Sequence, residues 1–435
     1  MASPTVRLPF WQSAILLSIG LSSCSPSNDS ELRRPLPENV VVMEGEVTAV
    51  RAKWTSDGSA IMTEATVVQP DGSSAAIHQL GGTVDGVGML VSHHPPLLGV
   101  GQQVRFAAVP GQARNYVLRE ILAAPGSVFA ADEPGTAKYG VNRTKQTGTP
   151  LAWASGCIHL SYHSAGVTHL AGNGEFRILD EATAEWQGES RICTDLAFSS
   201  SKTPDPGAGR NNINGVTFHE DHWCRPATET DPEVCHDPNA IAVTQVFFVD
   251  DRDSPRDGTI LEADIEFNGV NFAFTEDGQT LGRAPRIADL RSTMTHELGH
   301  LLGLAHNCWT GIGARPADHN SKPVPSCSDV AAGSEFTEAT MYFQQDEGET
   351  KKATIETSDL LGVCAGLSDV TCDRVVRGGC SVSSGYAGDA GQADPLPGSG
   401  LLLGLGFALA WLARRRGCPG DWYFSPRRGK RRGRR

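Results

Sequence analysis

His296-Glu297-Leu298-Gly299-His300-Leu301-Leu302-Gly303-Leu304-Ala305-His306 is the stretch on which the reading of the whole chain depends. On a helix, residues four apart share one face, so His296 and His300 can offer two imidazole nitrogens to one metal ion, with Glu297 beside them as a base. Gly303 supplies a stop, because glycine accepts the positive φ on which helices commonly end. Past that stop the chain can turn back and bring His306 to the same ion. Three neutral imidazoles leave a fourth tetrahedral position open, as in a catalytic zinc site rather than a structural one. Zinc held in this way lowers the pKa of a water to about 7, and Glu297 can take its proton. Ile287, Leu290, Met294, Leu298, Leu301 and Leu302 recur at helical spacing, so one face of this segment is core.

The eleven residues resemble, position by position, the H-E-x-x-H-x-x-G-x-x-H signature of the metzincin metalloproteases. The resemblance implies His296, His300 and His306 as ligands of a catalytic zinc ion and Glu297 as general base and then proton donor. It also implies a methionine in a tight turn beneath the histidines, and Met341 in Ala339-Thr340-Met341-Tyr342 is the candidate. The gap from His306 to Met341 is longer than in compact matrixins. An insertion pinned by Cys308 and Cys327 would absorb the difference and wall the specificity pocket. Asp359-Leu360-Leu361-Gly362-Val363 resembles the start of the closing matrixin helix, and Ala263-Asp264-Ile265 resembles a strand signature of that branch. The implied fold is α+β, a twisted mixed sheet plus an active-site helix, over residues 137–375. Two departures stand out. No Pro-Arg-Cys-Gly switch precedes the domain, so latency by a thiolate on the zinc is not supported, and no His/Asp loop for a second, structural zinc is evident.

Within 137–375, residues 150–162 read as a first strand and residues 175–186, apolar at Phe176, Ile178, Leu179, Ala182 and Trp186, as a helix packed on the sheet. Residues 241–249 read as a buried strand. Residues 262–267 alternate polar and apolar, which predicts a strand with one face in water and a possible edge along which an extended substrate peptide would add its backbone. His159, His163, His169, His219, His222 and His236 are taken as structural or solvated. Asp250, Asp251, Asp253 and Asp257 offer carboxylates for Ca2+, with a solvated acidic turn as the competing reading.

Upstream, residues 40–122 carry short β-prone runs at 40–42, 65–68, 77–80 and 104–106, separated by Asp57-Gly58, Asp71-Gly72, Gly81-Gly82 and Pro110-Gly111. A small all-β barrel or sandwich fits this pattern, and the stretch Gly81-Gly82-Thr83-Val84-Asp85-Gly86-Val87-Gly88 resembles the β-barrel modules that precede some bacterial matrixin-like domains. His93-His94, followed by Pro95-Pro96, reads as a solvated loop. Residues 123–136 make a linker. Residues 1–23 read as a signal peptide, and Leu21-Ser22-Ser23-Cys24 resembles a bacterial lipobox, with 24–39 as a tether. Residues 376–400 are a Gly/Ser/Ala-rich spacer, 401–413 a hydrophobic segment and 414–435 a basic tail. Together with Cys380 they resemble myxobacterial C-terminal sorting tails; a permanent single-span anchor is the other reading.

Eleven cysteines are present and none forms a C-x-x-C pair, which argues against a cysteine-bound zinc cluster. Eight lie in the catalytic region, an even number that suits four disulfides in an oxidising compartment. Proximity along the chain pairs Cys157 with Cys193, Cys224 with Cys235, Cys308 with Cys327 and Cys364 with Cys372. The formal charge is −13, and residues 414–435 carry ten Lys and Arg against one Asp, so the body is acidic and the end basic. That distribution argues against nucleic-acid binding by the core. The expectation is an exported, monomeric zinc endopeptidase acting on a protein or peptide, held at the envelope by lipid, by the hydrophobic segment, or by both. The rival reading is a cell-surface binding or adhesion protein with a metzincin-like metal site.

Overall fold

The computed structural model describes residues 40–372 apart from 112–114, 124–134, 169, 171, 173, 279–285 and 312. The signal peptide, tether, most of the linker, the spacer, the hydrophobic segment and the basic tail, with Cys24, Cys380 and His169, lie outside the described residues. Among those described, no helix is long and apolar enough to cross a membrane.

The chain is α+β, mostly sheet with few helices. Its N-terminal part contributes β1 (Val41–Trp54), β2 (Ile61–Val68), β3 (Ser74–Leu80), β4 (Gly82–Val84), β5 (Val87–Val91), β6 (Gln103–Pro110) and β7 (Asn115–Ala123). Five of these close a barrel in the order β1-β2-β3-β7-β6, antiparallel except for β3 against β7. Alternating residues such as Met43, Val47, Val67, Ile77, Val104 and Phe106 fill its interior, as the period-2 pattern of a half-buried strand requires. The β-prone runs of the sequence fall on β1, β2, β3 and β6.

The second part continues with β8 (Gly140–Val141), β9 (Ala152–Trp153), β10 (Cys157–His163), α1 (Gly174–Glu189), β11 (Ala197–Thr203), β12 (Asn214–His219), β13 (Cys224–Arg225), β14 (Val234–Cys235), β15 (Ala242–Val249) and β16 (Thr259–Asn268). It ends with β17 (Ala273–Thr275), β18 (Ile287–Asp289), α2 (Leu290–Leu301), β19 (Leu304–Ala305), α3 (Glu335–Glu338) and α4 (Thr357–Leu367). The large sheet runs β11-β10-β12-β16-β15-β5-β4, with β9 also paired to β16. Its inner strands are parallel, while β15 runs antiparallel to β16. Helices α1 and α2 pack together, joined by Trp186, whose indole N–H donates to the Thr295 carbonyl at 2.9 Å. The core between helices and sheet gathers Leu160, Tyr162, Leu179, Trp186, Phe267, Met294, Leu298 and Met341.

The closed barrel fits the β-module expected there, while β4 and β5 leave it and extend the large sheet along β15. The structure corrects two expectations. Strand β16 is interior, with β12 on one side and β15 on the other, so residues 262–267 are not an edge. Its polar residues face protein donors instead of water. Glu262 accepts from Arg210 and from the amides of Asn211 and Asn212, Asp264 accepts from the Gly209 and Gly215 amides, and Glu266 pairs with His219 at 2.6 Å. The second correction concerns the disulfides. Cys224–Cys235 and Cys308–Cys327 form as expected, but the other four cysteines pair as Cys157–Cys372 and Cys193–Cys364. Helix α4 folds back across the domain, so cysteines distant in sequence meet, and Cys193 ties the chain beyond α1 to α4.

Candidate metal centre

Helix α2 begins at Asp289, whose carboxylate accepts from the Ser292 amide at 2.7 Å and so caps an otherwise orphaned N–H. The helix stops where the glycine predicts. Gly303 has φ +97°, and a Cβ there would stand 2.4 Å from the Leu151 carbonyl oxygen. The reversal places His306 opposite His296 and His300, with ring centroids 4.8, 5.3 and 4.9 Å apart among the three.

The imidazoles are set for one role. His296 Nδ1 lies 2.6 Å from the Thr340 carbonyl oxygen and His300 Nδ1 lies 2.9 Å from that of Leu304. A carbonyl only accepts, so both Nδ1 atoms carry the proton, which leaves the Nε2 lone pairs free. The Nε2 atoms of His296, His300 and His306 are all buried without a hydrogen-bond partner, a costly arrangement for polar atoms unless something binds them. Burial pushes the pKa of His300 down to about 4 and those of His296 and His306 well below the usual histidine range. They are therefore neutral imidazoles, the form that binds a metal ion. The donor set fits a borderline-soft divalent ion such as zinc.

Met341 lies fully buried beneath α2, in a turn closed by the Tyr342 amide donating to Ala339. Gly299 makes the approach possible, since a Cβ there would stand 2.2 Å from Met341 Sδ. The turn is fixed from behind by Asp359 of α4, which accepts from the Thr340 and Met341 amides at 3.0 and 3.2 Å. Because the Thr340 carbonyl orients His296, α4 and the histidine cluster are mechanically linked.

Glu297 is buried and held by Thr244 of β15, whose hydroxyl donates to Oε2 at 2.6 Å. Burial alone would raise this carboxyl, but His93, His300 and the Thr244 hydroxyl bring it below the ordinary glutamate range. An open cleft of about 750 Å³ runs past Glu297, His296 and His306. Trp309, Thr310 and Gly313, from the loop pinned by Cys308–Cys327, form part of its wall. Lys352 also lines it; burial lowers its pKa to about 8, and its Nζ donates to the Tyr342 carbonyl.

His93, expected in a solvated loop, stands instead in this centre. Its ligand atom and those of His296, His300 and His306 all lie within 4.8 Å of one another. No local signal marks it in the sequence, because its place depends on the pairing of β5 with β15. Thr244 and Asp359 were likewise invisible as supports. His94, expected in the same solvated loop, is instead packed against His236, with Nε2 2.7 Å from His236 Nδ1. Of the histidines read as structural or solvated, His159 bonds Ser199 and Ser201 and His219 bonds Glu266. His222 pairs with Glu233 beside Cys224, but Cys224 is in a disulfide and offers no thiolate.

The acidic turn is occupied by protein donors. Asp250 accepts from Thr83 and the Gln146 amide, Asp251 from the Asp253 amide, and Asp257 from Thr147 and the Asp251 amide. It is not among the clusters of metal-ligating side chains found among the described residues. The chain matches no protein-family model and no curated protein.

Proposed function

We propose that the chain is an exported zinc-dependent endopeptidase of the metzincin clan, matrixin-like in its catalytic part. The observation that carries this reading is the convergence of three buried, unpartnered Nε2 atoms beside a buried carboxylate, over a methionine turn. His296, His300 and His306 would hold the ion, which when bound would polarise the scissile carbonyl and acidify water. Glu297, oriented by Thr244, takes the proton from the attacking water and returns it to the departing amide nitrogen. The cleft beside the centre accepts the substrate chain, and its disulfide-pinned wall contacts the side chains that flank the bond. Four disulfides support an oxidising compartment outside the cytoplasm.

The competing reading, a surface binding protein with a structural metal, draws on His93, which gives the centre a fourth imidazole. Metal analysis and casein hydrolysis separate the two. In a His93→Ala chain, where only the three signature imidazoles remain, one zinc per chain is expected, lost on adding His300→Ala and kept on adding Glu297→Gln, with cleavage reduced by roughly 10²–10⁴ in the latter. A metal-free protein, or cleavage by the His93→Ala chain that is indifferent to Glu297→Gln, overturns the endopeptidase.

A further inference from the structure

We infer that His93 is a fourth protein ligand of the metal, and that β5, which carries it there, holds the edge of β15 that an extended substrate would otherwise join. The inference rests on the hydrolytic reading of the centre. Its first support is convergence. The His93 ring stands 5.5, 5.5 and 4.9 Å from those of His296, His300 and His306, a spacing close to that among the three signature histidines. Four imidazoles around one point complete the tetrahedron that three leave open.

Backbone conformation is the second support. His93 has φ +57°, a left-handed conformation that is unfavourable for a residue with a Cβ and persists only where its surroundings impose it. Those surroundings are specific. The Ser92 amide donates to the Thr244 carbonyl at 2.9 Å, and the Thr244 amide donates back to Ser92 Oγ at 2.7 Å. On the other side His94 bonds His236, and the Pro96 carbonyl accepts from Gln79 at 2.9 Å. The turn that aims His93 is thus held at both ends.

The third support is the strand itself. β5 pairs antiparallel with β15 from Val87 opposite Val249 to Val91 opposite Gln245, and Ser92 continues the ladder to Thr244. Peptides bound by strand addition rely on the main-chain donors and acceptors of an exposed edge. On β15 those groups are taken by the protein's own chain up to the residue that orients Glu297. The base is engaged as well, with Ser92 Oγ and His93 Nε2 each 3.4 Å from its carboxylate oxygens. The intact chain is therefore self-blocked, and displacing residues 92–94 opens both the fourth metal position and the base. The barrel need not leave. Ile61, Met62, Leu80 and Val117 share a buried cluster with Val234 and Phe247, so barrel and large sheet have a common core.

Zinc K-edge X-ray absorption on the full chain tests this directly by counting imidazoles. Four are expected in the unaltered protein, and three with one oxygen in His93→Ala. In the cobalt-substituted protein, acetohydroxamate should shift the visible spectrum at a concentration at least about tenfold lower for His93→Ala than for the unaltered chain. Three imidazoles in the unaltered protein, or equal hydroxamate affinity in the two, overturns the inference, and the first result needs no variant to fold. Casein cleavage is read in parallel and reports on the separate question of the reaction. If His93→Ala loses one imidazole and gains hydroxamate affinity without cleaving casein, the ligand assignment holds and the endopeptidase reading fails. If the unaltered chain cleaves as fast as His93→Ala through an open fourth position, the endopeptidase stands and the self-block fails.

Discussion

The close approach of Met341 to Gly299 is the tightest requirement at the scale of single residues. A Cβ at 299 would meet not only Met341 Sδ but also, at 3.3 Å, the Trp186 ring, and Met341 is itself fully buried. Gly299→Ala is expected to lower stability by about 1–3 kcal/mol by overpacking, read as a lowered urea midpoint. Met341→Ala in the same chain should recover part of the loss, whereas an unchanged midpoint in Gly299→Ala would refute the packing. At this scale the sequence is legible where chemistry depends on short-range spacing. His296, Glu297, His300, Gly303 and His306 occupy the positions that one helix and one turn dictate. His93 escapes because nothing within ten residues specifies its neighbours: His-His-Pro-Pro reads as loop, and only the β5 ladder turns that loop into the centre.

Whole elements are legible when one physical pattern governs them. Residues 242–249 form a strand buried along its entire length, and the apolar spacing of residues 175–186 gives α1. Strand β16 misleads because its alternation is real while its solvent is not. The carboxylates of Glu262, Asp264 and Glu266 are satisfied by a loop and by neighbouring side chains, which period-2 patterning cannot distinguish from water. Disulfide pairing fails similarly for four of the eight cysteines, since proximity in sequence ignores the return of α4. Non-reducing digestion should release peptides joining Cys157 to Cys372 and Cys193 to Cys364; peptides joining Cys157 to Cys193 would contradict the fold of α4. Replacing Cys193 and Cys364 together by serine is expected to cost about 2–5 kcal/mol and to loosen the Asp359 anchor of the methionine turn.

For the whole molecule, the informative contact is the ion pair of Lys53 on β1 with Asp231, 2.7 Å apart, in the loop between β13 and β14. Burial tends to raise the pKa of Asp231, but hydrogen bonds from Lys53, Thr228 and the Ser56 amide outweigh it and hold the carboxyl at about 2. A carboxyl with a depressed folded pKa contributes stability that is full above its unfolded value near 3.8 and is lost as pH falls through about 2. Asp231→Asn is thus expected to cost on the order of 1–2 kcal/mol at neutral pH and progressively less in acid, measured as the difference in urea midpoint from pH 6 down to pH 2. A difference independent of pH would remove the ion pair from the account. Composition and turn signals announce two parts, a β-module and an α+β part, and both exist. Their shared core and the strand lent by one to the other are not legible, because both are long-range pairings with no local signature.

That loan has a consequence for how the molecule comes into being. A polypeptide grows from its N-terminus, and once residue 123 has emerged the five barrel strands can close. The β4–β5 hairpin cannot be satisfied at that moment, because the partner of Val91 is Gln245. Until β15 arrives, a strand edge bearing Val87, Met89 and Val91 stands open, and open edges of this kind join to other chains. Pairings so distant along the chain also form slowly. The hairpin that leads to His93 and the histidine cluster is thus a vulnerable segment during synthesis, and chains truncated before residue 249 should be the ones that aggregate.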